Sequence, residues 1–187
     1  NSAVYSKSTF SRLTDFNKKN RQQVKQVFDN FFTVDEGNLY RSKQLSKDSF
    51  RHYIDRYRIK TIINLRGENP GKRWYEDEKA ITEEKGVQLY SIPMSANCIP
   101  SKENLLKLLT LYDEAPRPIL IHCQGGADRT GEAAALWVLT QMEKSKDEAL
   151  KQLSIKYGHQ ESKKPAKDHF IRMWQGRDWA FNEYDPS

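Results

Sequence analysis

Pro118-Ile119-Leu120-Ile121-His122-Cys123-Gln124-Gly125-Gly126-Ala127-Asp128-Arg129-Thr130-Gly131 leads directly into Glu132-Ala133-Ala134-Ala135-Leu136-Trp137-Val138-Leu139. The short apolar run before Cys123 predicts a buried strand, and the longer one after Glu132 predicts a central helix. Between them lies a tight, glycine-containing loop. Cys123 opens that loop and Arg129 closes it, with five residues between. Such a layout suits one phosphate dianion held by backbone N–H groups against a nucleophilic sulfur.

Each residue type in the loop has a physical reason. Only a thiolate attacks, and the unpaired N–H groups of a helix N-terminus favour negative charge on the sulfur. The same N–H groups bind phosphate oxygens, so Gln124, Gly125, Gly126 and Ala127 are candidate substrate-binding positions. Gly125 and Gly126 are expected to supply positive φ. Arg129 offers a planar fork that grips two oxygens. Thr130 is expected to hydrogen-bond the sulfur, and Gly131 to allow close packing where the helix begins. His122, at the strand end, is expected to order the loop. The bare Cys-x5-Arg spacing is a weak signal. The extended pattern His-Cys-x2-Gly-x2-Arg-Thr-Gly between a strand and a helix is a strong one.

That pattern resembles the signature of the cysteine-dependent protein tyrosine phosphatases, in particular the small dual-specificity type. Leu39-Tyr40-Arg41-Ser42 and Thr61-Ile62-Ile63-Asn64-Leu65-Arg66-Gly67-Glu68 look like opening strands of such enzymes. The likeness is greatest to a bacterial branch and covers roughly residues 31–175. It implies a single α/β domain with a central, mostly parallel, four- to five-stranded sheet flanked by helices. It also implies Cys123 as nucleophile, Arg129 as phosphate clamp, and no metal or other cofactor. The substrates would be phosphotyrosine or phosphoserine/threonine proteins, or phosphoinositides and inositol phosphates.

The chemistry needs an acid to protonate the leaving oxygen and then a base to activate water. Relatives place an aspartate on the loop after the strand equivalent to Val87–Ile92. Here that loop, Pro93 to Pro100, has no carboxylate. Asp128 is the leading substitute, with a loop-bracing ion pair as the other reading. Glu68, Glu76, Asp77 and Glu78 are read as solvated carboxylates. Glu132 either orders the loop or complements the helix dipole, and Asn97 has the reach to position water. Arg66, at a strand end, is a candidate for contacting substrate or a carboxylate, whereas Arg41 reads as structural. Lys72, Arg73 and Trp74 are rim candidates. Lys163, Lys164 and Lys167 read as a solvated cluster, with a second phosphate site as the alternative. His159 and His169 do not fit a metal-ligand set and read as surface or packing residues.

The chain has 187 residues, enough for one domain with a substantial core. Its formal charge of +6 suits an anionic substrate, although a solvated basic surface explains it equally. No nucleic-acid motif is visible. Two cysteines, Cys98 and Cys123, exclude a disulfide framework; Cys98 reads as a small loop residue, with a redox partnership to Cys123 as the alternative. No apolar run is long enough to span a membrane. The first residue is Asn1, and the resembling branch often carries an N-terminal signal or anchor. Location therefore stays open between the cytoplasm and export or anchoring through a removed segment. A monomer is expected.

Along the chain, residues 1–22 read as a polar, loosely ordered arm, 23–178 as the phosphatase-like domain and 179–187 as a tail. Val24, Val27, Phe28, Phe31 and Phe32 are spaced to face the core. Ser46, Ser101 and Ser145 are helix caps, the last within a capping box whose helix is expected to reach Tyr157. Gly86 is a helix stop, and Pro165 starts the final helix. Two other function classes remain open: a phosphate-binding pseudophosphatase acting as an interaction module, and sulfur or arsenate chemistry on a similar anion loop.

Overall fold

The computed structural model describes the backbone from residue 7 to 187 and side chains from residue 14. The strands are β1 (Phe32–Asp35), β2 (Leu39–Ser42), β3 (Thr61–Asn64), β4 (Gln88–Ser91) and β5 (Ile119–His122). Among the described residues they form one five-stranded sheet in the order β1-β2-β5-β3-β4. Only the β1–β2 pairing is antiparallel; β5 lies between β2 and β3, parallel to both. The mostly parallel α/β sheet implied by the sequence is therefore the observed one.

Side chains alternate across the sheet, as the period of two requires. Leu39, Ile63, Ile119 and Ile121 join one core, while Tyr40, Ile62 and Leu120 join the other. The first core receives α4 (Lys102–Glu114), α5 (Asp128–Thr140), α7 (Pro165–Met173) and α8 (Arg177–Asn182). The second receives α2 (Lys47–Tyr57) and α3 (Arg73–Lys85). Ser46 and Ser101 cap α2 and α4 with their hydroxyls, and α3 stops at a left-handed Gly86. Ala133, Ala134 and Ala135 are fully buried in α5, where small side chains let the helix lie close on the sheet.

Three expectations are corrected. The polar stretch expected as a loose arm is helical from Lys7, within α1 (Lys7–Phe28); the part of that expectation covering residues 1–6 lies outside the described residues. The face of α1 turned to the body is polar. Gln26 donates to the Tyr57 hydroxyl at 2.7 Å, and Lys25 reaches Asp29 at 2.7 Å and Ser49 at 2.5 Å. Val24, Val27 and Phe28 consequently point to solvent, 54%, 72% and 73% exposed, and only Phe31 enters the core. Second, the capping-box helix α6 (Lys146–Leu150) ends early, and Ile155–Tyr157 is a separate 3-10 turn. Just past the end of α6, the Gln152 carbonyl accepts from the Arg41 guanidinium at 2.8 Å. Third, the expected tail begins inside α8. Trp179 and Tyr184 are buried, and the Tyr184 hydroxyl donates to the Pro100 carbonyl at 2.6 Å.

Candidate active site

The Cys123–Arg129 loop leaves the C-terminal end of β5, the central strand, and enters α5. Ligand sites of open α/β sheets gather at such strand ends. Three carbonyls of the loop are held from outside. Gln44 N–H donates to the Gln124 carbonyl at 3.0 Å, Asn30 Nδ2 to Gly125 at 2.9 Å, and Arg41 Nη2 to Gly126 at 2.8 Å. Carbonyls turned outward leave the following N–H groups turned inward. Gly126 N–H indeed points at the Cys123 sulfur, at 3.3 Å.

Gly126 has φ +73°, and a Cβ there would lie 2.6 Å from Lys43 N, so only glycine fits. Gly125 does not adopt positive φ, contrary to expectation. At Gly131 a Cβ would meet Leu153 Cδ2 at 2.7 Å, so α5 starts in close contact with the segment after α6. Arg41 is fully buried and lies 3.8 Å over the Tyr157 ring; burial pushes its pKa down to about 10. It is a structural brace for the loop, as its sequence position suggested.

Cys123 is 3% exposed and sits in a cavity of about 320 Å³. Gln124, Gly125, Ala127, Asp128, Arg129, Ala96 and Lys164 complete the lining. Arg129 Nε is buried with no hydrogen-bond partner among the described residues. Arg66 stands beside this cavity, its guanidinium stacked 3.5 Å over Trp74 and bonded to Gln44 Oε1 at 3.0 Å. Burial and the like charge of Arg129 lower the Arg66 pKa from its ordinary value. Lys72 and Arg73 are exposed on the helix start beyond Trp74.

Several sequence expectations change here. Thr130 is buried, but its hydroxyl makes no hydrogen bond to the sulfur. Glu78 is fully buried, not solvated: it meets His122 Nε2 at 2.5 Å, while His122 Nδ1 lies 3.3 Å from the Cys123 carbonyl. His122 thus links the first residue of the loop to Glu78 behind it. Glu68 and Glu76 remain exposed, and Asp77 pairs with Arg73.

The lysine cluster splits. Lys163 is exposed, Lys164 lines the cavity and bonds the Asn97 side chain, and Lys167 is fully buried. Lys167 joins Glu132 at 2.9 Å to the Cys98 carbonyl at 2.7 Å, tying α5 to the 93–100 loop. Burial pushes the Glu132 pKa up to about 7 against the pull of Lys167. Cys98 is exposed and both cysteines are free thiols.

His159 is neither a surface residue nor a mere packing one. Its Nδ1 meets Asp128 Oδ1 at 2.7 Å, and its Nε2 meets Asp168 Oδ2 at 2.7 Å. His159 and Asp168 are buried, whereas the Asp128 side chain is 23% exposed toward the cavity. His169 is exposed. Among the described residues no cluster has the makings of a metal site, and no helix is long and apolar enough to cross a membrane.

The family model described as "DSP-PTPase phosphatase fused to NAD+ Kinase" matches residues 10–172. The inositol diphosphatase SIW14 of Saccharomyces cerevisiae is 31% identical over 100 residues, which is 51% of this chain and 34% of that protein. The chain thus matches about a third of the length of that curated relative. The core catalytic domain of PP-IP phosphatase SIW14 from S. cerevisiae, in complex with citrate, has a TM-score of 0.65 at 26% identity, over 78% of this chain and 85% of that one. P. aeruginosa TpbA in complex with pTyr shares the fold, with a TM-score of 0.64 at 21% identity, over 79% and 85% of the two chains. With its cysteine–arginine loop at the end of the central strand, the chain belongs to the DSP-PTPase family, the cysteine-dependent phosphatases described as fused to NAD+ kinase.

Proposed function

We propose that this chain hydrolyses phosphate monoesters through a cysteinyl-phosphate intermediate. One observation carries the reading: the carbonyls of residues 124, 125 and 126 are all restrained from outside, so the amides that follow them turn inward, and Gly126 N–H reaches the Cys123 sulfur. Cys123 attacks phosphorus, and the electron pair of the breaking P–O bond leaves on the substrate oxygen. Asp128 gives that oxygen its proton. Water then attacks the phosphocysteine, Asp128 takes the water's proton, and the S–P bond breaks to return the thiolate. Arg129 and the inward amides hold the equatorial oxygens throughout.

Asp128 takes the acid's place because the 93–100 loop carries no carboxylate and Asp128 lines the cavity. The cavity has Lys164 on its wall and Arg66 nearby. Inositol phosphates and phosphoinositides suit that positive surround, and phosphoprotein esters are the second substrate group. The relatives' named activities, an inositol diphosphatase and a protein bound to pTyr, span the same range. The test is phosphate release from a panel of inositol phosphates, phosphoinositides and phosphotyrosine peptides. Release that disappears in Cys123→Ser supports the reading; none from any substrate leaves a phosphate-binding module instead. Asp128→Asn is expected to slow alkyl phosphates by about a hundredfold and activated aryl phosphates far less. Equal losses on both remove Asp128 as the acid.

A further inference from the structure

We infer that His159, held by Asp168, is a positioning residue for the proton-transfer carboxyl of Asp128. The inference rests on the reading of Asp128 given above and deepens it. The starting point is the buried imidazole with a carboxylate on each side, at 2.7 Å from each. Nothing in the hydrolytic steps themselves requires it.

Two hydrogen bonds of that length need one proton each. A neutral imidazole brings only one, so these two bonds hold two protons among the three side chains, and the transferable proton on Asp128 Oδ2 makes three before the first step and two after it. Asp168, buried on α7, fixes the ring through Nε2 and so turns Nδ1 toward Asp128. Asp128 Oδ1 is engaged by Nδ1, which leaves Oδ2 as the oxygen free to serve the cavity that Asp128 lines. When Asp128 protonates the leaving oxygen, its O–H bond breaks and the electron pair stays on the carboxylate. The Nδ1–H bond then becomes charge-assisted, and such bonds are roughly twice as strong as neutral ones. In the second step Asp128 recovers a proton from water with the same ring holding its far oxygen. The ring thereby limits rotation of a carboxylate at the N-terminus of α5 and steadies the charge it acquires.

This arrangement also explains the turn after Tyr157. Gly158 is left-handed, with φ +88°, and ends the 3-10 turn so that the next residue enters the interior. His159 N–H is itself bonded to the Ser154 carbonyl at 3.1 Å. The ring is thus fixed at its backbone and at both nitrogens.

A bracing residue and a positioning residue differ in how their loss depends on the leaving group. The experiment compares wild type, His159→Leu, His159→Asn, Asp168→Asn and Asp128→Asn on an alkyl phosphate and on p-nitrophenyl phosphate, with melting temperatures alongside. His159→Leu is expected to lower kcat about tenfold to a hundredfold on the alkyl phosphate, with KM little changed and the activated ester largely spared. His159→Asn, which keeps an N–H near the Nδ1 position, is expected to restore part of that loss. Asp168→Asn should show the same selectivity, more weakly. Combining His159→Leu with Asp128→Asn should add little to Asp128→Asn alone. Equal losses on both substrates in His159→Leu and His159→Asn, with Asp128→Asn still selective, overturn this inference and leave Asp128 as the acid. If Asp128→Asn is itself unselective, the acid assignment falls and this inference with it.

Discussion

A histidine–carboxylate couple lies on each side of the phosphate loop. Behind the strand, His122 meets Glu78 and neither side chain reaches solvent. At the rim, His159 meets Asp128 and Asp168, and Asp128 is open to the cavity. The ring–carboxylate distances are alike, 2.5 Å in the first couple and 2.7 Å in the second. What separates them is whether a carboxyl oxygen can meet a ligand. The second oxygen of Glu78 is sealed in with no hydrogen-bond partner among the described residues. The first couple is enclosed, while in the rim couple Asp128 lines the cavity and is the carboxyl that a ligand there can reach.

The comparison can be broken most forcefully at Cys123. Cys123→Ser leaves both couples intact and is expected to reduce turnover by at least about a thousandfold. Activity that survives would mean that neither couple serves the chemistry described. Next comes the sealed couple. Glu78→Ala leaves His122 buried without its partner, and loss of one member of a buried pair costs about 3–5 kcal/mol. Chemical denaturation should show that loss, and turnover of alkyl and aryl phosphates should fall together. A leaving-group-dependent loss in Glu78→Ala would erase the distinction between the couples.

The smallest effect sharpens the contrast with a third buried carboxylate. Burial raises the Glu132 pKa to about 7, from an ordinary value of 4.5. Between those values the folded protein binds more protons than the unfolded chain. Glu132's contribution to stability is therefore complete below about pH 4.5 and lost as pH rises through about 7. Glu132→Gln keeps the shape and removes the titration. Melting temperatures measured across that window should decline less steeply in the variant; an unchanged slope would refute the assignment.

The central strand, loop and helix were legible because their signals are local: an apolar run, a glycine loop and a second apolar run stand side by side. The caps at Ser46 and Ser101 were legible for the same reason. The facing of α1 was not. Val24, Val27 and Phe28 satisfy helical spacing whether the stripe faces in or out, and the polar bonds of Gln26 and Lys25 decide it. The segment after α6 is held by Arg41, more than a hundred residues away in sequence, and such a contact leaves no local signal.

The site divides in the same way. Cys123, Arg129 and Asp128 share one short motif. Glu78, His159, Asp168, Asn30 and Gln44 reach it only through folding, and single residues of these types carry no mark of their own. For Glu78 a signal did exist. It shares a helical face with Tyr75, Ile81 and Thr82, all of them buried in α3. A carboxylate at an apolar register position announces a buried partner.

The outward anchoring of three loop carbonyls has a further consequence. Asn30, Gln44 and Arg41 lie outside the loop and hold its carbonyls through the scaffold, so the orientation of the cup's dipoles does not rely on contacts to an anion. On the proposed mechanism, a pentacoordinate phosphorus would meet a field already oriented, and little rearrangement energy would be spent at the moment of bond exchange. Vanadate, which adopts that five-coordinate shape, should therefore bind more tightly than inorganic phosphate, and loosening any one of the three anchors should narrow the gap between the two.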